Sequence, residues 1–183
     1  HVDLFVEPGA EGRAMQIERG LVEPNERYLF SRDERSTAEL LLDELRGRGL
    51  TLATAESCTG GLVAARLTDV PGSSDVFLGS VVAYANAVKT GQLGVPDEVL
   101  SEHGAVSAEA AAAMAHGVRE RLGADVGVAV TGVAGPGGGS EEKPVGLVYL
   151  HAAGPGGEHG RRLDLPGDRE TVRLRAAVAA LPL

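Results

Sequence analysis

The sequence lacks tryptophan and has only three phenylalanines and three tyrosines, so any core has to be aliphatic. It has one cysteine, Cys58, which excludes an internal disulfide framework and a multi-cysteine zinc site. No apolar run approaches the roughly 18 residues of a membrane span, and no Arg-rich leader or signal-like apolar segment opens the sequence. The chain therefore reads as soluble and cytoplasmic, with no membrane partner. A net charge of -9 without any basic stretch argues against a nucleic-acid partner. Lysine is also scarce: of 17 basic residues only Lys89 and Lys143 are lysines. Where arginine serves for every ordinary cation, a retained lysine suggests a task that guanidinium cannot perform, such as losing its proton when desolvated.

What is present suits one well-packed domain. A length of 183 residues with 43% hydrophobic and 23% charged residues is ordinary for a globular chain and too short for two full domains. The opening VDLFVEPG alternates like a strand that has no partner nearby, and EPGAEGR, VEPNER and SRDER scatter charge without periodicity. Residues 1–35 are expected to be the tail of a preceding domain and a linker, with residues 36–183 as the domain proper.

From Ser36 the signals sharpen. Ser36 and Glu39 form a capping box ahead of Leu40, Leu41, Leu42 and Leu45, which predicts a helix ended by Gly47 and Gly49. TLATA predicts a short strand, and Gly60-Gly61 opens a helix through Leu67. VFLGSVVAYA, residues 76–85, predicts a long strand buried on both faces, followed by a helical piece, NAVKTGQL, closed by Pro96. Ser107 caps an alanine-rich helix to Leu122, and DVGVAVTG is a buried strand. The loop AGPGGGSEEKP leads to a hairpin around GPGG, and Asp168 to Ala180 forms a last helix. This order predicts a three-layer α/β/α sandwich around a mixed, mostly parallel sheet, with ligands at the carboxyl ends of its strands.

Three motifs fall at those ends. In TAESCTGG the amides of Cys58, Thr59 and Gly60 open a helix, where unpaired donors can meet a phosphate or an oxyanion, and Ser57 stands at the cap. Capping alone explains this stretch unless a base activates the serine. Tyr84 and Lys89, in YANAVK, supply one, because a neutral lysine beside a phenol can accept a serine proton. The third motif, TGVAGPGGGSEEKPVG, carries glycines that suit close approach of backbone to a ligand, with Ser140 and Lys143 inside it. Arg169 and Arg173 share one face of the last helix, where such pairs are usually solvated and can also meet a phosphate. A nicotinamide dehydrogenase is disfavoured, since there is neither a Y-x3-K spacing nor a G-x-G-x-x-G turn. His103, His116, His151 and His159 have no carboxylate or cysteine at ligand spacing, so no zinc is expected.

Taken in order, AESCTGG, GSSDVF, VAYANAVK, LGV, HGAVS, TGVAGPGGGSEEKPVG and GDR resemble the nicotinamide-mononucleotide deamidase family, the C-terminal domain of competence/damage-inducible CinA proteins. The resemblance runs from about Ser36 to the end. It implies hydrolysis of the carboxamide of nicotinamide mononucleotide to nicotinate mononucleotide and ammonia, a step of NAD salvage, without metal or organic cofactor. It implies Ser57 as nucleophile with Lys89 and Tyr84 as catalytic partners. The substrate would be bound by Glu56, Cys58, Thr59 and Gly60 of the first turn, by Ser74, by Thr131, Gly132, Gly135, Gly139, Ser140 and Lys143 of the third motif, and by Arg169. A homodimer is the family expectation. Ala85 and Gly137 depart from the commoner family residues without removing a proposed catalytic group. Two other readings stay open: a nucleotide-binding module without turnover, and an amidase whose nucleophile is Cys58, its thiolate favoured by the helix N-terminus.

Overall fold

The computed structural model describes residues 35–183, together with Gln16 and Gly20 before them. The chain divides into two compact units, His1–Arg35 and Ser36–Leu183. The expectations for the first 34 residues lie outside the described part.

The second unit begins with α1 (Thr37–Arg48), whose start is fixed by the capping box: Ser36 Oγ accepts from the Glu39 amide, and the Glu39 carboxylate accepts from the Ser36 amide. Gly49, at φ 66°, ends it in the left-handed conformation. Then follow β1 (Leu52–Glu56), α2 (Leu62–Thr68), a 3-10 turn (Ser73–Asp75), β2 (Phe77–Val82), α3 (Asn86–Leu93), α4 (Asp97–Glu102), α5 (Ala108–Leu122), β3 (Val126–Gly132), β4 (Leu147–Gly154), β5 (Gly157–Asp164) and α6 (Arg169–Ala179). Two further starts are capped as the sequence predicts, by Ser107 for α5 and Asp168 for α6. The short α4 lies where no element was expected, directly after Pro96, whose fixed φ suits a helix entry.

The strands form one sheet in the order β2-β1-β3-β4-β5. β1 pairs parallel with both β2 and β3, and the β4–β5 hairpin continues antiparallel from β3, so four of the five strands run one way. The fold is the expected α/β/α sandwich with a mixed sheet. One expectation fails: β2 is an edge strand, not one buried on both faces, and its Leu78 and Val82 are each 45% exposed. Apolar continuity marks a strand but does not say how many neighbours it has.

The two faces of the sheet differ in side-chain size. Leu52, Val128, Val130, Val148 and Leu150 face α1, α2 and α6. Ala53, Ala55, Ala129 and Ala153 face the other way, towards α3 and α5. Small residues there let α5 approach closely: a Cβ on Gly127 would lie 2.2 Å from the Ala115 carbonyl oxygen, and one on Gly117 would lie 1.9 Å from that of Leu93. No helix among the described residues is long and apolar enough to cross a membrane.

Because backbone cannot yield as a flexible side chain can, Gly117→Ala and Gly127→Ala should each destabilise the domain by about 1–3 kcal/mol. Gly47, in the last turn of α1 with open space around it, should instead gain roughly 0.4–1 kcal/mol as alanine. Urea midpoints at constant m-value check all three.

Candidate active site

The chain leaves β1 for α2, returns as β2 on one side of β1, and then crosses by α3, α4 and α5 to β3 on the other side. Neighbouring strands β1 and β3 thus have connections that part in opposite directions, which opens a crevice beyond their carboxyl ends. The Ser57 amide donates to Val130 O across this junction, so Ser57 is tied to β3 as well as to β1.

Two anchors hold the turn that carries Ser57. Glu56, fully buried, takes hydrogen bonds from the amides of Gly61 and Val63 on one carboxylate oxygen and of Ala64 on the other, at 2.8–3.1 Å. Ser80 Oγ adds a longer one at 3.4 Å. A carboxylate at the start of α2 complements the unpaired amides and the helix dipole together. From the other side, Arg173 on α6 donates to the carbonyls of Cys58 and Thr59, each at 3.0 Å. Gly60, at φ +62°, lets the turn reverse beneath that guanidinium.

Lys89 reaches the turn from α3. It is 1% exposed, and its amine donates to Ser57 Oγ at 3.1 Å, to Ala83 O at 2.7 Å and, more weakly, to Tyr84 O at 3.4 Å. Burial lowers its pKa, partly opposed by the nearby Cys58 sulfur. Once the amine is neutral, two N–H groups can stay on the carbonyls and its lone pair becomes free for the serine hydroxyl. Ser57 and Lys89 line a cleft of about 280 Å³ that Asn86, Thr131, Gly135 and Arg169 also border.

Several expected site residues have other roles. Glu56 holds α2 and is not among the residues that line the cleft, and the amides it takes are no longer open to a phosphate. The Gly60 amide bonds to Ser57 O, so of the three amides expected at an oxyanion only those of Cys58 and Thr59 lack a protein acceptor among the described residues. The Thr59 hydroxyl is buried without a partner. Tyr84 meets Lys89 through its carbonyl; its phenol is 60% exposed and accepts from Arg169 at 2.8 Å. Ser74 sits in the 3-10 turn ahead of β2, and since β2 runs parallel to β1 it lies at the opposite end of the strands from Ser57.

In the third motif, Thr131 and Gly132 border the cleft, and Gly135 both borders it and accepts from Arg169 at 2.7 Å. The Thr131 hydroxyl is committed to Ala105 O at 2.6 Å. Gly139, Ser140 and Lys143 are not among the cleft residues: Ser140 Oγ accepts from the Lys143 amide, and the Lys143 amine is tied to His103 O at 2.6 Å. Ser140 and Lys143 therefore brace the loop. Cys58 touches the cleft, but its side chain belongs to the core beneath α2 and α6. Burial pushes its thiol up to about 11, so at neutral pH it is protonated and the cysteine-nucleophile reading loses its basis.

Asn86, Ala105 and Val106 border the cleft without having been expected there. For Asn86 a signal existed, since it opens α3 two residues after Tyr84. Ala105 and Val106 come from the α4–α5 loop, inside the HGAVS stretch, to which no site role had been given.

Fold and site together define a three-layer α/β domain with a buried lysine–serine pair at the switch point of its sheet. The CinA C-terminal domain family matches residues 34–183, and the chain belongs to that family. Among curated relatives, a CinA-like protein of Gemmatimonas aurantiaca is 49% identical over 172 residues, covering 94% of this chain and 40% of the relative. A putative competence-damage inducible protein of Moorella thermoacetica is 53% identical over 156 residues, covering 85% and 38%. The chain thus spans about two fifths of the length of these relatives. Among solved structures, the competence/damage inducible protein CihA of Agrobacterium tumefaciens superposes with a TM-score of 0.77 at 44% identity, covering 80% of this chain and 90% of that one. A CinA superfamily protein of Escherichia coli gives 0.76 at 32% identity, covering 86% and 95%.

Two outcomes follow from the anchors. Glu56→Ala leaves three amides without their acceptor and should cost about 2–4 kcal/mol of stability, with Glu56→Gln losing less. Lys89 has a folded pKa below its unfolded 10.5, so between those values the unfolded chain holds a proton that the fold has lost. Stability therefore rises with pH through that window, the penalty being present in full below it. Urea midpoints measured against pH should show this rise in the wild type and not in Lys89→Met.

Proposed function

We propose that this domain is an amidohydrolase that converts nicotinamide mononucleotide to nicotinate mononucleotide and ammonia. The observation that carries the reading is the 3.1 Å contact between the buried Lys89 amine and Ser57 Oγ at the cleft. Neutral Lys89 takes the Ser57 proton as Oγ adds to the carboxamide carbon. The amides of Cys58 and Thr59, which have no acceptor among the described residues, take up the developing oxyanion. Collapse expels ammonia, the lysine returning its proton to the departing nitrogen, and leaves a serine ester. Water, deprotonated by Lys89, then hydrolyses the ester, which releases the carboxylate and restores Ser57.

The other end of the cleft supports phosphate recognition. Arg169 spends one N–H on Gly135 O and one on the Tyr84 phenol, so part of its guanidinium fork stays available at the mouth, beside the glycine loop. Tyr84 acts here as a support for the phosphate-binding arginine.

Ammonia release from nicotinamide mononucleotide tests the reading. Ser57→Ala should reduce turnover at least about 10⁴-fold. Lys89→Arg should lose about 10²–10⁴-fold, because guanidinium cannot give up its proton. Free nicotinamide, lacking the ribose phosphate, should be untouched, and Arg169→Ala should raise KM more than it lowers kcat. In the wild type, kcat/KM should rise with pH as Lys89 deprotonates, with its limb below 10.5. Binding of the mononucleotide with no ammonia from the wild type would refute the amidase and leave a nucleotide-binding module.

A further inference from the structure

On the α5 face of the sheet, far from the motifs of the cleft in sequence, three side chains from three elements converge. His116 lies on α5, His151 on β4 and Glu158 on β5. His116 Nε2 is 3.1 Å from one Glu158 carboxylate oxygen, and His151 Nε2 is 3.1 Å from the other. The ligand atoms of all three lie within 4.8 Å of one another. The β4–β5 register explains the meeting: Ala153 pairs with Glu158 and His151 with Gly160, so these four positions share the face that packs on α5. His159, one residue on, belongs to the other face.

The geometry points to a site for a borderline transition-metal dication, of which Zn²⁺ is the natural example, held by His116, His151 and Glu158. Two imidazoles and one carboxylate form a donor set that suits this ion. With metal–ligand bonds of about 2.0–2.1 Å, the edges of a tetrahedral site are about 3.3 Å long. Each imidazole nitrogen stands 3.1 Å from a different Glu158 oxygen, and the three ligand atoms lie within 4.8 Å of one another. An inward movement of the half-buried His116 and the exposed Glu158 would bring them onto one ion. His151 is the anchor: only 12% exposed, its ring lies over Gly160, where a Cβ would come within 3.3 Å of Nδ1. Any larger residue there would displace the ring. Three protein ligands leave at least one coordination position for water or an incoming group. A bound ion would also clasp the edge strand β5 to the middle of α5.

The test is a Zn²⁺ titration of the full chain against a chromophoric chelator, with Co²⁺ absorption as an independent readout of coordination. The expected result is one equivalent bound, visible Co²⁺ bands of low-coordinate intensity, and a Tm that rises with Zn²⁺. His116→Gln, at a half-buried position, and Glu158→Gln, at an exposed one, both checked for native circular dichroism, should each weaken Zn²⁺ at least about tenfold and abolish the Tm rise. His103→Ala and His159→Ala should leave the affinity unchanged. Absence of stoichiometric binding, or binding equally tight in His116→Gln and Glu158→Gln, would overturn the site and leave a carboxylate that bridges two imidazoles.

Discussion

The geometry of the cleft depends on one buried carboxylate. Glu56 ends β1 and immediately caps α2, so the direction of the strand and the position of the helix are joined through a single side chain. Ser57 rides on the peptide between them. A serine on a freer turn could not keep a 3.1 Å contact with an amine that arrives from a different helix. Arg173 reinforces the same turn from α6, and the Ser57 amide ties it to β3, so four elements agree on where that hydroxyl sits. Using the helix amides inside the protein has a second effect: only the two amides of Cys58 and Thr59 remain for something bound.

Burial of Lys89 is the complementary constraint. An ammonium at 1% exposure is poorly tolerated, and among the described residues no carboxylate bonds to it; its acceptors are two carbonyls and a hydroxyl. Burial shifts the amine towards its neutral form. The same burial acts on Cys58 in the opposite sense, holding the thiol protonated. Two adjacent side chains thus meet different surroundings: Ser57 contacts the Lys89 amine, and Cys58 packs in the core.

How much of this could be read in the sequence depended on how local each determinant is. Helix starts at Ser36, Ser107 and Asp168 follow from side chains bonding their own backbone three residues on, which sequence displays directly. Lys89 stood out because lysine is so rare in this chain. Glu56 was misread because its partners are backbone amides, which carry no sequence signature. Ser74 was misplaced for a reason that the parallel topology could have supplied, since a residue before a parallel strand cannot reach that strand's carboxyl end. The grouping of His116, His151 and Glu158 needs the hairpin register and the seat of α5 together, and neither is visible in spacing.

The alanine face under α5 has a consequence for how this domain can vary. Where Gly117 and Gly127 bring backbone against backbone, there is no side-chain volume to exchange, so a gain at one position cannot be offset by a loss at its neighbour. On the other face, valines and leucines interdigitate with three helices and can trade volume among themselves. Mutational drift should therefore be asymmetric across a single sheet, with one side free to repack and the other confined to the smallest residues.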